Sequence, residues 1–175
     1  MTLDSIAFRF FESIQNPTLT SFSKFIAIAT NPILLLALII IISGGLYFNN
    51  RKSQAIFLFL VSVITAFVNE ILKQILRIPR PISTLIQETG FSFPSGHTMF
   101  AIVFFTIITY IFTKGLSIKI KIFAYSISSI IILIIAFTRI YLQVHWLTDI
   151  IGGLIIGTII LVVSILIYKK IISLN

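Results

Sequence analysis

The sequence contains no cysteine and few charged residues. The absence of cysteine excludes a disulfide framework and a thiolate metal site. Charged residues make up only 10% of the chain, compared with roughly a quarter in a soluble domain, whereas hydrophobic residues make up 58%. This composition excludes an ordinary soluble domain. The length of 175 residues is enough for one domain, so we expect a single membrane-embedded domain over residues 1–175.

Long stretches without Asp, Glu, Lys or Arg predict membrane-spanning helices. A helix needs about 20 apolar residues to cross the hydrocarbon of a bilayer, and its backbone groups must be hydrogen-bonded internally. Five stretches approach this length: Phe25–Asn50, Ser53–Asn69, Gly90–Thr113, Ile122–Thr138 and Ile150–Tyr168. Asn31-Pro32 lies within the first stretch and would kink it or divide it in two. We therefore predict an all-α fold, a polytopic membrane helix bundle of five to six transmembrane helices.

The N-terminal residues have a different pattern. Ser5–Ile14 alternates apolar residues with Arg9 and Glu12, and Asn16-Pro17 then breaks the pattern. This predicts an N-terminal amphipathic helix lying at the membrane surface. A cleaved signal peptide is the weaker interpretation, because a basic n-region and a small-residue cleavage site are missing. We expect residues 1–17 to form an interfacial helix and residues 18–175 to form the transmembrane core.

Most basic residues lie in the connections on one side of the predicted bundle. None of these connections contains an acid, and the positive-inside rule makes their side cytoplasmic. The residues are Arg51, Lys52, Lys114, Lys119, Lys121, Lys169 and Lys170. The formal net charge of +8 is therefore mostly a topology signal. Binding of nucleic acid is the weaker interpretation, since no polar segment interleaves Lys and Arg with aromatic residues.

The first polar cluster ends the second predicted span and reads Lys73-Gln-Ile-Leu-Arg77-Ile-Pro79-Arg80-Pro81. Lys and Arg at helix ends often only extend to the interface, and we assign that role to Arg77. Lys73 and Arg80, however, oppose the charge bias of the other connections. Cations on the outer side favour an anionic ligand. Glu70 lies one turn inside Lys73, where a local ion pair is expected.

The second cluster is Phe93-Pro94-Ser95-Gly96-His97, directly before an apolar run. Serine caps helices well, and the free N–H groups at a helix start bind anions. Gly96 allows a phosphate to approach the backbone closely. His97 can donate a proton there. Taken alone, Pro-Ser-Gly would be an ordinary turn.

The third cluster runs from Arg139 to Asp149, on the same predicted side. His145 and Asp149 are four residues apart and share one face of a helix. A carboxylate that accepts from one imidazole nitrogen leaves the other nitrogen free as a nucleophile. Half of a metal site is the alternative, but no third ligand is evident. Tyr141 and Trp146 are typical of interfacial anchors.

Together, Lys73-x6-Arg80-Pro81, Pro94-Ser95-Gly96-His97 and Arg139-x5-His145-x3-Asp149 resemble the three-part signature of the type 2 phosphatidic acid phosphatase superfamily. The resemblance covers the chain from about the second span to the end, with order and spacing kept. Thr138 stands where the family commonly has Ser, and Ile78 where many bacterial members have an additional Arg. Neither difference removes a catalytic group.

The resemblance implies a cofactor-free, metal-independent phosphatase in the cell membrane, with its active site at the outer face. His145 would be the nucleophile that forms a phosphohistidine, His97 the general acid, and Asp149 the residue that orients His145. The phosphate-binding residues would be Lys73, Arg80, Ser95, Gly96 and Arg139. The partners would be the membrane and a lipid phosphate: phosphatidic acid, phosphatidylglycerol phosphate, undecaprenyl diphosphate or lipid A.

Two alternatives remain open at the level of sequence. A non-enzymatic scaffold or transporter would keep the fold but would not need both histidines and Asp149. A phosphatase or phosphotransferase for soluble sugar phosphates would need a polar entrance, whereas access between spans would indicate a lipid. Fold-level analogy does not decide the substrate.

Overall fold

A computed structural model describes residues 2–173, apart from the side chains at positions 32 and 172. Within this range all regular secondary structure is helical, which confirms the all-α prediction. The seven helices are α1 (Leu3–Ser13), α2 (Pro17–Ala29), α3 (Pro32–Phe48), α4 (Lys52–Leu76), α5 (Gly96–Thr113), α6 (Ile118–Tyr141) and α7 (Leu147–Ser173).

Four of these helices, α4 to α7, are long and apolar enough to cross a membrane. Helices α2 and α3 pass the same test only together, as a pair bent by 48°. Five spans therefore require α2 and α3 to act as one broken span. Six spans would require α2 to cross alone, although its 13 residues extend only about 20 Å and the hydrocarbon core is about 30 Å thick.

Both Asn-Pro pairs start a new helix. The side chain of Asn16 accepts a hydrogen bond from the backbone N–H of Leu19 at 2.9 Å, and that of Asn31 accepts from Ile33 at 2.9 Å. Each asparagine thus satisfies one of the free donors at a helix start, and proline next to it lacks the N–H that would go unpaired. The predicted break at Asn31-Pro32 is confirmed as the junction between α2 and α3.

Helix α5 lies in the middle of the bundle and packs against α4, α6 and α7. The contact with α7 is close because glycines face it. A Cβ atom at Gly157 would lie 2.4 Å from Ile102, and one at Gly153 would lie 3.0 Å from the carbonyl oxygen of Ser95. In lipid, where helices gain little from the hydrophobic effect, such small residues permit the van der Waals packing that joins them.

Helix α1 packs on the ends of α6 and α7. The carboxylate of Asp4 accepts hydrogen bonds from the backbone and side chain of Thr148, at 2.9 and 2.8 Å, at the start of α7. Tyr141 is fully buried, and its hydroxyl accepts from the N–H of Asn16 at 3.0 Å. The prediction of an interfacial role for Tyr141 is therefore wrong, because it fastens α6 to the start of α2.

The order of the helices brings the three polar clusters to one end of the bundle. This end, which we call the histidine end, contains the last turns of α4 and α6 and the first turns of α5 and α7. Residues 77–95 form the long connection across it. The opposite end, which we call the basic end, carries the connections around Arg51 and Lys114 and the last part of α7 with Lys169.

Candidate active site

A cavity of about 710 Å³ opens at the histidine end. Residues from all three sequence clusters line it, so the fold brings together groups that are far apart in the chain. Its polar lining includes Lys73, Arg80, Glu88, Gly96, His97 and His145. Lys73 of α4, Arg80 of the connection and His97 of α5 are cations or hydrogen-bond donors from three separate elements, which is the arrangement that an anionic ligand requires.

His145 and Asp149 form the expected pair at the entrance to α7. The Nδ1 atom of His145 lies 3.2 Å from Oδ2 of Asp149, and the backbone N–H of Trp146 donates to the same oxygen at 2.8 Å. Asp149 is completely buried and His145 is 3% exposed. The carboxylate therefore fixes the orientation of the imidazole ring inside the bundle rather than at its surface.

The contact with Arg80 indicates which ring nitrogen of His145 carries the proton. Its Nη1 atom lies 3.2 Å from Nε2 of His145 and donates to the carbonyl oxygen of Val144 at 2.8 Å. A guanidinium has donors only, so Nε2 must present its lone pair, and the proton lies on Nδ1, directed at Asp149. Burial, followed by the charges of Arg80 and Arg139, holds the pKa of His145 well below its usual range. His145 is therefore a neutral base near pH 7, with a free electron pair on the cavity side.

A second arginine lies behind the first. Arg139, at the end of α6, is fully buried, and its Nη2 atom donates to Oε1 of Glu88. Its Nε and Nη1 atoms have no hydrogen-bond partner among the described residues. Buried donors without partners are costly unless a ligand satisfies them.

Glu88 is a residue of this cavity that the sequence motifs miss. Its carboxylate bridges the two arginines, with Oε2 at 3.1 Å from Nη1 of Arg80 and Oε1 on Arg139. Burial opposes ionisation of Glu88, but Arg139 and Arg80 outweigh it and hold the pKa of that carboxyl below its usual range. An ionised carboxylate thus occupies the place between the arginines that suits a phosphate. The only signal in the sequence is an acid in the long connection otherwise associated with cations.

The start of α5 contributes two residues to the cavity. Gly96 and His97 line it, and a Cβ atom at Gly96 would lie 3.0 Å from the side-chain oxygen of Asn69. Ser95 is fully buried, and its hydroxyl caps α5 by accepting from the backbone and, at 3.0 Å, from the hydroxyl of Thr98. The backbone N–H of Ser95 donates to the carbonyl oxygen of Asp149 at 3.1 Å, which fixes α5 against α7.

Lys73 lines the cavity from the last turn of α4. The expected ion pair with Glu70 is not formed, because the carboxylate of Glu70 accepts instead from Nε2 of Gln74 at 2.7 Å. Lys73 has no ion pair with any residue in the range 2–173. Its ammonium group is therefore available to a ligand. In the same range, no three His, Cys, Asp or Glu side chains lie close enough together to hold a metal ion.

The bridge formed by Glu88 gives a direct prediction. Glu88→Gln is expected to tighten the binding of inorganic phosphate by roughly three- to tenfold, since the anion would no longer compete with a carboxylate for the arginines. The dissociation constant can be measured by titration calorimetry in detergent. Glu70→Gln is the matched control, because Glu70 lines the same cavity but pairs with Gln74. Equal or weaker binding in Glu88→Gln would show that the carboxylate holds the arginines for the anion and does not compete with it.

Comparison with known sequences agrees with the motifs. A model of the PAP2 superfamily matches residues 54–173. Phosphatidylglycerophosphatase B of Bacillus subtilis (strain 168) is 36% identical over 126 residues, which make up 70% of this chain and 62% of that protein. The aligned region thus spans less than two thirds of that relative's length.

Comparison with solved structures extends the similarity to the whole bundle. A crystal structure of a transmembrane PAP2-type phosphatidylglycerolphosphate phosphatase from Bacillus subtilis superposes with a TM-score of 0.88 at 30% identity, over 96% of this chain and 85% of that one. The crystal structure of Aquifex aeolicus LpxE has a TM-score of 0.76 at 26% identity, over 94% and 96% of the two chains. Because the family model covers more than half of the chain and includes every cluster that meets at the cavity, this protein belongs to the PAP2 superfamily.

Proposed function

We propose that the protein is a metal-independent lipid phosphate phosphatase that works through a phosphohistidine on His145. The observation that supports this most strongly is the shape of the cavity, which joins the charged groups of the histidine end to apolar faces of the spanning helices. Its deeper lining includes Leu36 and Ile39 of α3, Val63 and Ala66 of α4, and Phe100 of α5. The phosphate of a lipid can therefore lie among the cations while the acyl chains of that lipid remain between helices. A soluble sugar phosphate does not need such an arrangement.

Binding of the phosphate follows from the free donors around the cavity. Arg80 and Arg139 exchange the carboxylate of Glu88 for phosphate oxygens, and the two unpartnered nitrogens of Arg139 gain acceptors. Lys73 and the N–H groups at the start of α5 bind the remaining oxygens, where the helix dipole also favours negative charge. These groups stabilise the charge that spreads over the phosphoryl oxygens in the transition state. The hydroxyl of Ser95 acts mainly through the cap that holds this helix start in place.

The chemical steps use the two histidines in turn. Nε2 of His145 attacks phosphorus while the bond to the lipid oxygen breaks, and His97 transfers a proton to that leaving oxygen. Water then attacks the phosphohistidine, gives its proton back to His97 and releases inorganic phosphate. Asp149 keeps the proton on Nδ1 of His145 and balances the positive charge on the ring when Nε2 carries the phosphoryl group.

Phosphatidylglycerol phosphate is the first substrate to test. The aligned relative is called phosphatidylglycerophosphatase B, and one similar structure is described as a phosphatidylglycerolphosphate phosphatase. Phosphatidic acid and undecaprenyl diphosphate are the next candidates, because within residues 2–173 the histidine end is built from helix ends, α1 and the connection 77–95, without a large domain that would select a head group. On the positive-inside topology, this end lies at the outer face of the cell membrane.

The test is phosphate release from a panel of substrates in detergent with a chelator present. The panel contains phosphatidylglycerol phosphate, phosphatidic acid, undecaprenyl diphosphate and glucose 6-phosphate. We expect chelator-resistant release from the lipids and much less from the sugar phosphate. Ala66→Phe, which narrows the apolar part of the cavity, should raise KM for long-chain phosphatidic acid more than for its short-chain analogue. Release that requires a divalent ion, or a preference for the sugar phosphate, would contradict the proposal.

The role of His97 can be separated from that of His145 by the leaving group. His97→Ala is expected to lower kcat by roughly 10²- to 10⁴-fold with a lipid phosphate, because an alkoxide needs a proton as it leaves. With p-nitrophenyl phosphate, whose phenolate leaves without protonation, the loss should be much smaller. Equal losses with the two substrates would assign His97 to phosphate binding and not to proton transfer.

A further inference from the structure

We propose a second lipid site at the basic end of the bundle, which binds the head group and one acyl chain of an anionic glycerophospholipid. Two adjoining cavities form it. A polar cavity of about 410 Å³ is lined by Arg51, Lys52 and Lys114, and an apolar cavity of about 320 Å³ lies between α4 and α7. Both cavities share Ser53 and Tyr168, so the polar one continues directly into the apolar one.

The polar cavity has the charge that an anionic head group requires. No acid lines it, and all three ion pairs within the described part of the chain lie at the other end of the bundle. Arg51 is held in place there. Its Nη2 atom donates to the carbonyl oxygen of Ile111 at 3.0 Å, its Nε donates to Gln54, and its guanidinium lies 5.4 Å from the ring of Phe112. This leaves the Nη1 donors of a preordered cation without a partner among the described residues.

The apolar cavity has the position and length that an acyl chain requires. It follows one face of α4 from Ser53 through Leu60 to Ile64, and α7 closes its other side with Ser164 and Ile167. At 1.5 Å per residue this face extends roughly 16 Å, about half of the hydrocarbon core. Basic pockets between spanning helices are a known way of binding anionic lipids, whereas lysines that only extend to the interface need no apolar groove beside them.

Tyr168 gives independent evidence for a polar ligand at the junction of the two cavities. The residue is only 7% exposed, and its hydroxyl has no hydrogen-bond partner among the described residues. Its ring is fixed by stacking on Phe57, with centroids 4.2 Å apart. A buried hydroxyl without a partner costs about 1–3 kcal/mol of stability. An ester or phosphate oxygen that enters between the cavities after a small shift of the surrounding side chains would satisfy it.

The occupant differs from the substrate of the histidine end. The two sites lie at opposite ends of α4, which places the basic site in the cytoplasmic leaflet on the positive-inside topology. Neither catalytic histidine lies near it. A lipid bound there would act as a ligand that stabilises the contact between α4 and α7, and it would not be hydrolysed.

The test counts bound lipids by native mass spectrometry on the full-length protein in detergent. The probes are phosphatidylserine, phosphatidylcholine and inorganic phosphate. We expect phosphatidylserine to bind most tightly and Lys52→Gln/Lys114→Gln to weaken it by roughly tenfold or more. Lys119→Gln/Lys121→Gln is the matched control, because it removes the same charge at the same end but outside both cavities. Arg80→Gln, at the histidine end, should leave this binding unchanged.

Two further variants test the groove and the hydroxyl. Ser164→Phe, which fills the apolar cavity, should weaken the binding of long-chain phosphatidylserine but not that of its dihexanoyl analogue. Tyr168→Phe keeps the stacking on Phe57 and should weaken the binding of both lipids. Equal losses of phosphatidylserine binding in the two double-lysine variants would show that binding depends only on general surface charge, and would overturn the proposal. Inorganic phosphate binding as tight as that of phosphatidylserine, and weakened in Lys52→Gln/Lys114→Gln, would overturn the lipid assignment. Loss of phosphatidylserine binding in Arg80→Gln would place the lipid at the histidine end and overturn the proposal.

Discussion

Replacing His145 with alanine is expected to lower kcat for phosphate release by roughly 10⁴-fold or more, since the proposed mechanism forms its covalent intermediate on this residue. The ring is buried, its Nδ1 is held by Asp149, and its Nε2 faces Arg80 in the cavity. No other described histidine combines a carboxylate partner with a nitrogen beside Arg80. The measurement is single-turnover phosphate release from phosphatidic acid in detergent.

The control for this variant must separate chemistry from folding. His145→Ala leaves the carboxylate of Asp149 with one fewer donor inside the bundle, which alone can destabilise the protein. His145→Asn keeps an N–H near the position of Nδ1 and should restore the melting temperature without restoring activity. If either variant remained folded and kept more than about a hundredth of the wild-type rate, a nucleophile other than His145 would be required.

Removing the carboxylate of Asp149 is expected to give the second largest effect, roughly 10³- to 10⁴-fold in kcat for Asp149→Ala. Without this acceptor the proton on His145 can move to Nε2, which then has no electron pair for phosphorus. The same oxygen also accepts from the backbone N–H of Trp146, so the carboxylate holds both the ring and the entrance to α7.

Asp149→Asn divides this effect into two parts. The amide oxygen can accept both hydrogen bonds that Oδ2 now accepts, so orientation and tautomer are kept while the negative charge is lost. We expect a smaller loss than for Asp149→Ala, roughly 10- to 10²-fold. The rate of each variant is compared at equal folded fraction, which circular dichroism measures. Identical losses in the two variants would show that Asp149 contributes charge alone and does not orient His145.

The sequence was sufficient to predict the spanning helices and the residues that meet at the histidine end. Runs without charge mark α4 to α7 because lipid admits few other structures. The clusters around Lys73, His97 and His145 could be assigned to one membrane side, since short connections between spans leave little choice of topology. The amphipathic pattern of residues 5–14 likewise predicted α1.

Features that depend on long-range packing were not predictable in this way. Glu88 lies 51 residues from Arg139 in the chain, and only the path of the connection 77–95 places its carboxylate between the two arginines. Tyr141 resembles an interfacial aromatic residue, but α2 packs on α6 and its start covers the hydroxyl. The groove between α4 and α7 depends on the crossing of two uniformly apolar helices, whose composition does not show which face is open.

The central claim, a phosphohistidine on His145, is tested most directly by rapid quenching with a lipid carrying ³²P in its terminal phosphate. The account predicts a transient protein-bound label that survives alkali, is lost in acid, and maps to the peptide containing His145. The label should be absent from His145→Asn. Burst-phase phosphate release with no labelled protein, or a label that is stable to acid, would contradict the account and favour direct attack by water or a different nucleophile.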